Sequence, residues 1–83
     1  MKNQKIFTVE LENNIYIFKL LDVLDKKGIS YTKFIRDTET SYWSIMRYGK
    51  GTVKKIDIAF VDKWCSYLKC SFGDLIEIKK KYK

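Results

Sequence analysis

Histidine and proline are absent from this 83-residue chain, and glycine and cysteine are scarce, at four and two residues. Without histidine the commonest general base is missing, and no serine or cysteine sits in a recognisable nucleophile setting, so an enzyme is disfavoured. Cys65 and Cys70 supply too few ligands for zinc in a single copy, so neither metal nor cofactor is expected and both cysteines read as core thiols. Long apolar runs are also missing. The longest near the N-terminus is Ile15-Tyr-Ile-Phe18, far short of a membrane span, and the opening MKNQKIFTVELENN has no signal-peptide stretch. A cytoplasmic protein with no membrane partner is expected. The lack of proline and shortage of glycine leave room only for short loops, and a composition of 46% hydrophobic and 33% charged residues argues against disorder.

What is abundant is positive charge. The net charge is +7, and it is unevenly placed. Between residues 26 and 55, Lys26, Lys27, Lys33, Arg36, Arg47, Lys50, Lys54 and Lys55 face only Asp37 and Glu39, and a second basic cluster lies at 79–83. Lysines and arginines gathered in this way suit a polyanion, because each one near a phosphate releases condensed counterions.

The hydrophobic pattern divides the chain. In KIFTVELE, Phe7, Val9 and Leu11 alternate with Ile6, Thr8 and Glu10, the period of a strand. Such a strand can pair with its own copy in a dimer, pair with the alternating LIEIKKK near the C-terminus, or remain a frayed extension. From Ile17 the spacing becomes helical through Leu20, Leu21 and Leu24, and Lys26-Lys27-Gly28 ends that helix. Ser30 then caps a short helix with Phe34 and Ile35 inward, and Ser41 caps another anchored by Ile45 and Tyr48. A clearer amphipathic helix begins near Asp57, with Val61, Trp64, Cys65 and Leu68 on one face. Ser71 caps a last short one, with Leu75 and Ile76 facing in. Gly49-Lys50-Gly51-Thr52 is no phosphate loop, because it lacks that motif's first glycine and its spacing.

The central pair, GISYTKFIRDTETSYWSIMRYGKG, resembles the helix-turn-helix of the phage Cro and repressor class, the XRE family. Gly28, Ile29, Ser30, Phe34, Thr38, Ser41, Ile45 and Gly51 fall in register with that pattern. The later stretch WCSYLKCSFGDLIE is similar to the family's closing helices. The resemblance spans about residues 15 to 79. It implies an all-α fold, a compact five-helix lambda-repressor-like domain at 15–79, between a 1–14 extension that would hold any short strand and a basic tail at 80–83. It also implies site residues. Tyr42, Trp43, Ser44, Met46 and Arg47 match base-reading positions, and Arg47 stands out because a guanidinium can bond both acceptors of one guanine. Tyr31, Thr32, Lys33, Ser41, Lys50, Lys54 and Lys55 match positions that contact the DNA backbone.

Three positions depart from the family pattern. Glu39 stands where glycine usually permits a left-handed turn, so the turn must either take another path or strain a residue with a β-carbon. Ile35 replaces a small alanine at the helix crossing and should push the two helices apart, and Thr40 replaces a buried aliphatic residue. Tyr42 and Trp43 replace small polar side chains. Three roles fit them: contact with DNA, contact with a protein partner, or, for one ring and by preference Trp43, folding back onto the core.

The function implied is a sequence-specific double-stranded DNA-binding regulator, a Cro-like repressor of a phage or mobile element that binds its operator as a homodimer. A second class fits the aromatic pair: a small inhibitor of the anti-CRISPR type, or an antitoxin, which turns the same scaffold on a protein or ribonucleoprotein through Tyr42 and Trp43.

Overall fold

A computed structural model describes residues 4–81. The chain runs through strands β1 (Phe7–Glu10) and β2 (Asn14–Phe18), and then helices α1 (Leu20–Lys27), α2 (Tyr31–Thr38) and α3 (Tyr42–Lys50). Helices α4 (Ile58–Leu68) and α5 (Phe72–Leu75) and strand β3 (Ile76–Lys80) complete it.

The fold is therefore mixed α/β, and the all-α expectation is corrected. The five helices lie against a three-stranded antiparallel sheet in the order β1-β2-β3. Ile17, expected to open the first helix, lies instead in the central strand Asn14–Phe18, and the helix starts only at Leu20. A run of β-branched and aromatic side chains fits a pleated surface better than a helix. Within the chain, the strand at residues 7–10 does not pair directly with the C-terminal segment, since both flank β2, with Phe7 and Ile76 each opposite Phe18.

The register decides which side chains reach the core. Phe7, Val9, Tyr16, Phe18 and Ile76 share one face of the sheet and pack against the helices. The other face carries Thr8, Ile17 and Glu77 in one row and Glu10, Ile15 and Lys79 in the next. β1 is thus part of the domain's packing, not an appendage.

Trp64 of α4 is the centre of the core, 1% exposed. Its ring meets Tyr48 edge-on at 4.9 Å and stacks on Phe60 at 5.6 Å, with Phe34 5.8 Å away. The Tyr48 hydroxyl accepts the Asp57 backbone N–H at 2.6 Å, so this aromatic cluster also fixes the start of α4. Gly49 lets α3 approach α1. A β-carbon there would lie 2.6 Å from Leu21 Cγ, closer than packed carbons approach.

Candidate nucleic-acid interface

Helices α2 and α3 form the helix-turn-helix, and local hydrogen bonds set each end. Ser30 Oγ accepts the Lys33 N–H at 3.1 Å, and Ser41 Oγ accepts the Ser44 N–H at 3.1 Å, satisfying donors the helices cannot satisfy themselves. Between them Glu39 takes the left-handed conformation itself, at φ 55° and ψ 43°. Of the two outcomes open to this position, the turn keeps the path that glycine would allow and strains a residue with a β-carbon. Thr40 is accommodated by hydrogen bonding: its hydroxyl lies 2.8 Å from that of Thr38 and accepts the Trp64 indole N–H at 3.4 Å. Thr38 Oγ1 is 2.6 Å from the Phe34 carbonyl, closing the network. Ile35 is half-buried, and α2 and α3 remain packed together.

The side chains expected to read bases divide into two groups. Trp43, Arg47 and Lys50 recur at i, i+4 and i+7 and form an outward stripe along α3. Trp43 is 70% exposed and Tyr42 46%, so neither ring folds back onto the core. The two rings meet edge-on at 5.5 Å, and Tyr42 lies 6.4 Å from Tyr31, linking the first turns of the two helices. Ser44 and Met46 lie inside, only 6% and 8% exposed, and the Ser44 hydroxyl is held 3.0 Å from that of Ser41.

The residues expected at the DNA backbone are also unequal. Lys50, Lys54 and Lys55 are exposed and, like Arg47, have no ion pair among the described residues. Thr32 and Ser41 are exposed, while Tyr31 is half-buried. Lys33 is different, because its ammonium sits 2.9 Å from Asp37 Oδ2, which also accepts the Tyr67 hydroxyl at 2.6 Å. The Tyr67 and Lys33 bonds hold the Asp37 carboxyl down at about 2, and Asp37 in turn raises the Lys33 and Tyr67 values. The Lys33 charge is thus already matched within the protein, and the three side chains tie α2 to α4.

Sequence reasoning did not single out Lys5, which the structure places beside this surface. Its ammonium lies 6.0 Å from the centre of the Tyr31 ring, beside the start of α2. The signal was present, because Lys5 shares the parity of Phe7 and Val9, the residues whose alternation marks the strand.

Among the described residues, no group of three or more histidine, cysteine, aspartate or glutamate side chains could hold a metal ion, and no helix is long and apolar enough to cross a membrane. Cys65 and Cys70 are free and half-buried, and burial, with Cys65 alongside, pushes the Cys70 thiol up to about 11. That is the opposite of the activation a nucleophilic thiolate needs.

A family described as the Cro/C1-type HTH DNA-binding domain matches residues 19–81. Comparison with curated proteins and with solved structures gives no match.

Proposed function

Given that the chain belongs to the Cro/C1-type HTH DNA-binding domain family, and so is a DNA-binding regulator, we propose that it is a sequence-specific repressor that occupies an operator as a dimer. The observation that carries this reading is the stripe Trp43–Arg47–Lys50, exposed on α3 with neither of its cations paired among the described residues. Laid in a major groove, the first turns of α3 bring Tyr42, Trp43 and Arg47 to base edges. Arg47 takes a guanine, and the rings take thymine methyls or sugars. Lys50, Lys54, Lys55, Tyr31, Thr32 and Ser41 face the phosphates, while buried Ser44 and Met46 support the reading surface from beneath. Two copies reading half-sites about 34 Å apart would select a near-palindromic operator. A phage or mobile element of an AT-rich bacterium is the expected source, and the cytoplasm the place of action.

The exposed tyrosine and tryptophan beside an arginine also support the second reading, an inhibitor or antitoxin that uses this surface on a protein. Titration into duplex carrying the gene's own upstream region and into random duplex, across salt, separates the two. The repressor reading expects a specific complex of two chains per duplex whose preference Arg47→Ala and Trp43→Ala abolish, each at a cost of about 1–3 kcal/mol. Equal, salt-sensitive binding to both duplexes that Trp43→Ala leaves unchanged would refute it in favour of the protein partner.

A further inference from the structure

The N-terminal segment and the two helices of the helix-turn-helix enclose a groove of about 300 Å³, room for about ten water molecules. Gln4, Lys5, Tyr31, Tyr42 and Lys50 line it with polar groups, and Phe7, Leu21 and Met46 complete the lining. The polar groups are an amide, two hydroxyls and two ammonium groups. No carboxylate lines this groove, in contrast to three other clefts among the described residues. One of those, between α1 and α5, contains Asp22 and Asp74, and another, beside α4, contains Asp37 and Asp62. The cleft on the α1 side of Lys5 and Tyr31 contains Asp25. Neither Lys5 nor Lys50 has an ion pair among the described residues. The Lys5 ammonium is nonetheless positioned, because the Tyr31 ring attracts it, and Tyr31 in turn touches Tyr42 at the start of α3.

We propose that this groove seats the sugar-phosphate backbone of the DNA strand running beside α3, with Lys5 and Lys50 each neutralising a phosphate. The inference rests on the DNA-binding reading and extends it to a segment that precedes the matched family region. Tyr31 is a positioning residue, holding Lys5 at the height of the recognition helix. Contacts of this kind add affinity without adding sequence preference.

Duplex binding measured by fluorescence anisotropy between 50 and 200 mM salt tests it, using the full chain and Lys5→Gln, Lys5→Arg, Lys50→Gln and the Lys5→Gln/Lys50→Gln double variant. Each lost phosphate contact lowers the slope of log K against log salt by about 0.9, so each glutamine variant should lose about 3.5-fold less affinity across that range than the parent. The double variant should lose about twice the slope, Lys5→Arg should match the parent, and the ratio of specific to random binding should stay constant. Thermal melting that superimposes on the parent shows that Lys5→Gln has not disturbed the sheet; if it has, Lys5→Met, which keeps the length of the stem without its charge, carries the comparison. A Lys5→Gln slope equal to the parent's while Lys50→Gln lowers it overturns the proposal, as does a change in sequence preference. If the parent binds no duplex, the DNA reading falls as well. If it binds and Arg47→Ala removes its preference while Lys5→Gln is silent, only the groove assignment falls.

Discussion

Replacing Glu39 with glycine should stabilise this protein. Four helices end on a left-handed residue: Gly28 after α1, Glu39 after α2, Gly51 after α3 and Lys69 after α4. Glycine meets this demand without penalty at two of them. The other two place a β-carbon against a carbonyl oxygen, at φ 55° for Glu39 and φ 57° for Lys69, each at a cost of about 1–2 kcal/mol. Glycine also gives the unfolded chain more freedom, which returns about 0.4–1 kcal/mol of that gain. A net stabilisation of about 0.5–1 kcal/mol remains, which in a domain of this size raises the melting temperature by roughly 4 °C.

The measurement is a calorimetric or circular-dichroism melt of Glu39→Gly beside three controls. Glu39→Gln removes the charge but keeps the β-carbon, and Glu39→Ala keeps the β-carbon without the longer side chain. Neither should reproduce the gain. Lys69→Gly relieves the same geometry in a helix outside the helix-turn-helix, where the cap N–H bonds to the Cys65 carbonyl as that of Glu39 bonds to the Ile35 carbonyl. It should give a similar rise. A Glu39→Gly protein that melts at or below the parent would refute the argument, and a gain shared equally by Glu39→Gln would assign the effect to charge instead of backbone strain.

Two further substitutions probe packing and the ion network. Gly49→Ala drives a β-carbon into the buried Leu21 side chain at 2.6 Å, so the guanidinium midpoint should fall with a loss of about 1–3 kcal/mol; an unchanged midpoint would mean that α1 and α3 separate freely. The Asp37 carboxyl is held at about 2, below its ordinary value of 3.8, so its contribution is present above pH 4 and is lost as pH falls toward 2. Asp37→Asn should therefore be less stable than the parent near neutrality, and urea midpoints should converge between pH 4 and 2, whereas a gap constant with pH would show that the carboxylate charge is irrelevant.

The helices were legible in the sequence because caps are local. Ser30, Ser41 and Asp57 each accept a backbone N–H within their own first turn, and no distant partner is needed to recognise them. The sheet was not legible for the opposite reason. β2 exists because residues 7–10 and residues 76–80 flank it, and the second of these lies some sixty positions away. Ile17 added a misleading phase, since with Leu20, Leu21 and Leu24 it completes an i, i+3, i+4, i+7 series. In the fold it belongs to β2, on the face opposite Phe18 and Tyr16. A period of 3.6 read across the strand-to-helix boundary merged residues that point to different surroundings.

The same contrast runs through the interface. Exposed Arg47 and Lys50 could be placed from helical spacing alone, but the depth of Ser44 and Met46 depends on what lies beneath α3. That support includes Val9 and Phe18 of the sheet, which would lie 2.8 and 2.9 Å from a β-carbon at Gly51. The sheet thus fixes the C-terminal end of α3, while the Thr38–Thr40–Trp64 bonds fix the turn before it. With both ends held, Trp43 and Tyr42 are left on the outside, and a tryptophan 70% exposed on a cationic helix is the kind of residue that is enriched where partners bind. The strand that supports the end of α3 through Val9 also follows Lys5 by two residues, so the packing that holds α3 also brings that cation beside Tyr31 at the start of α2.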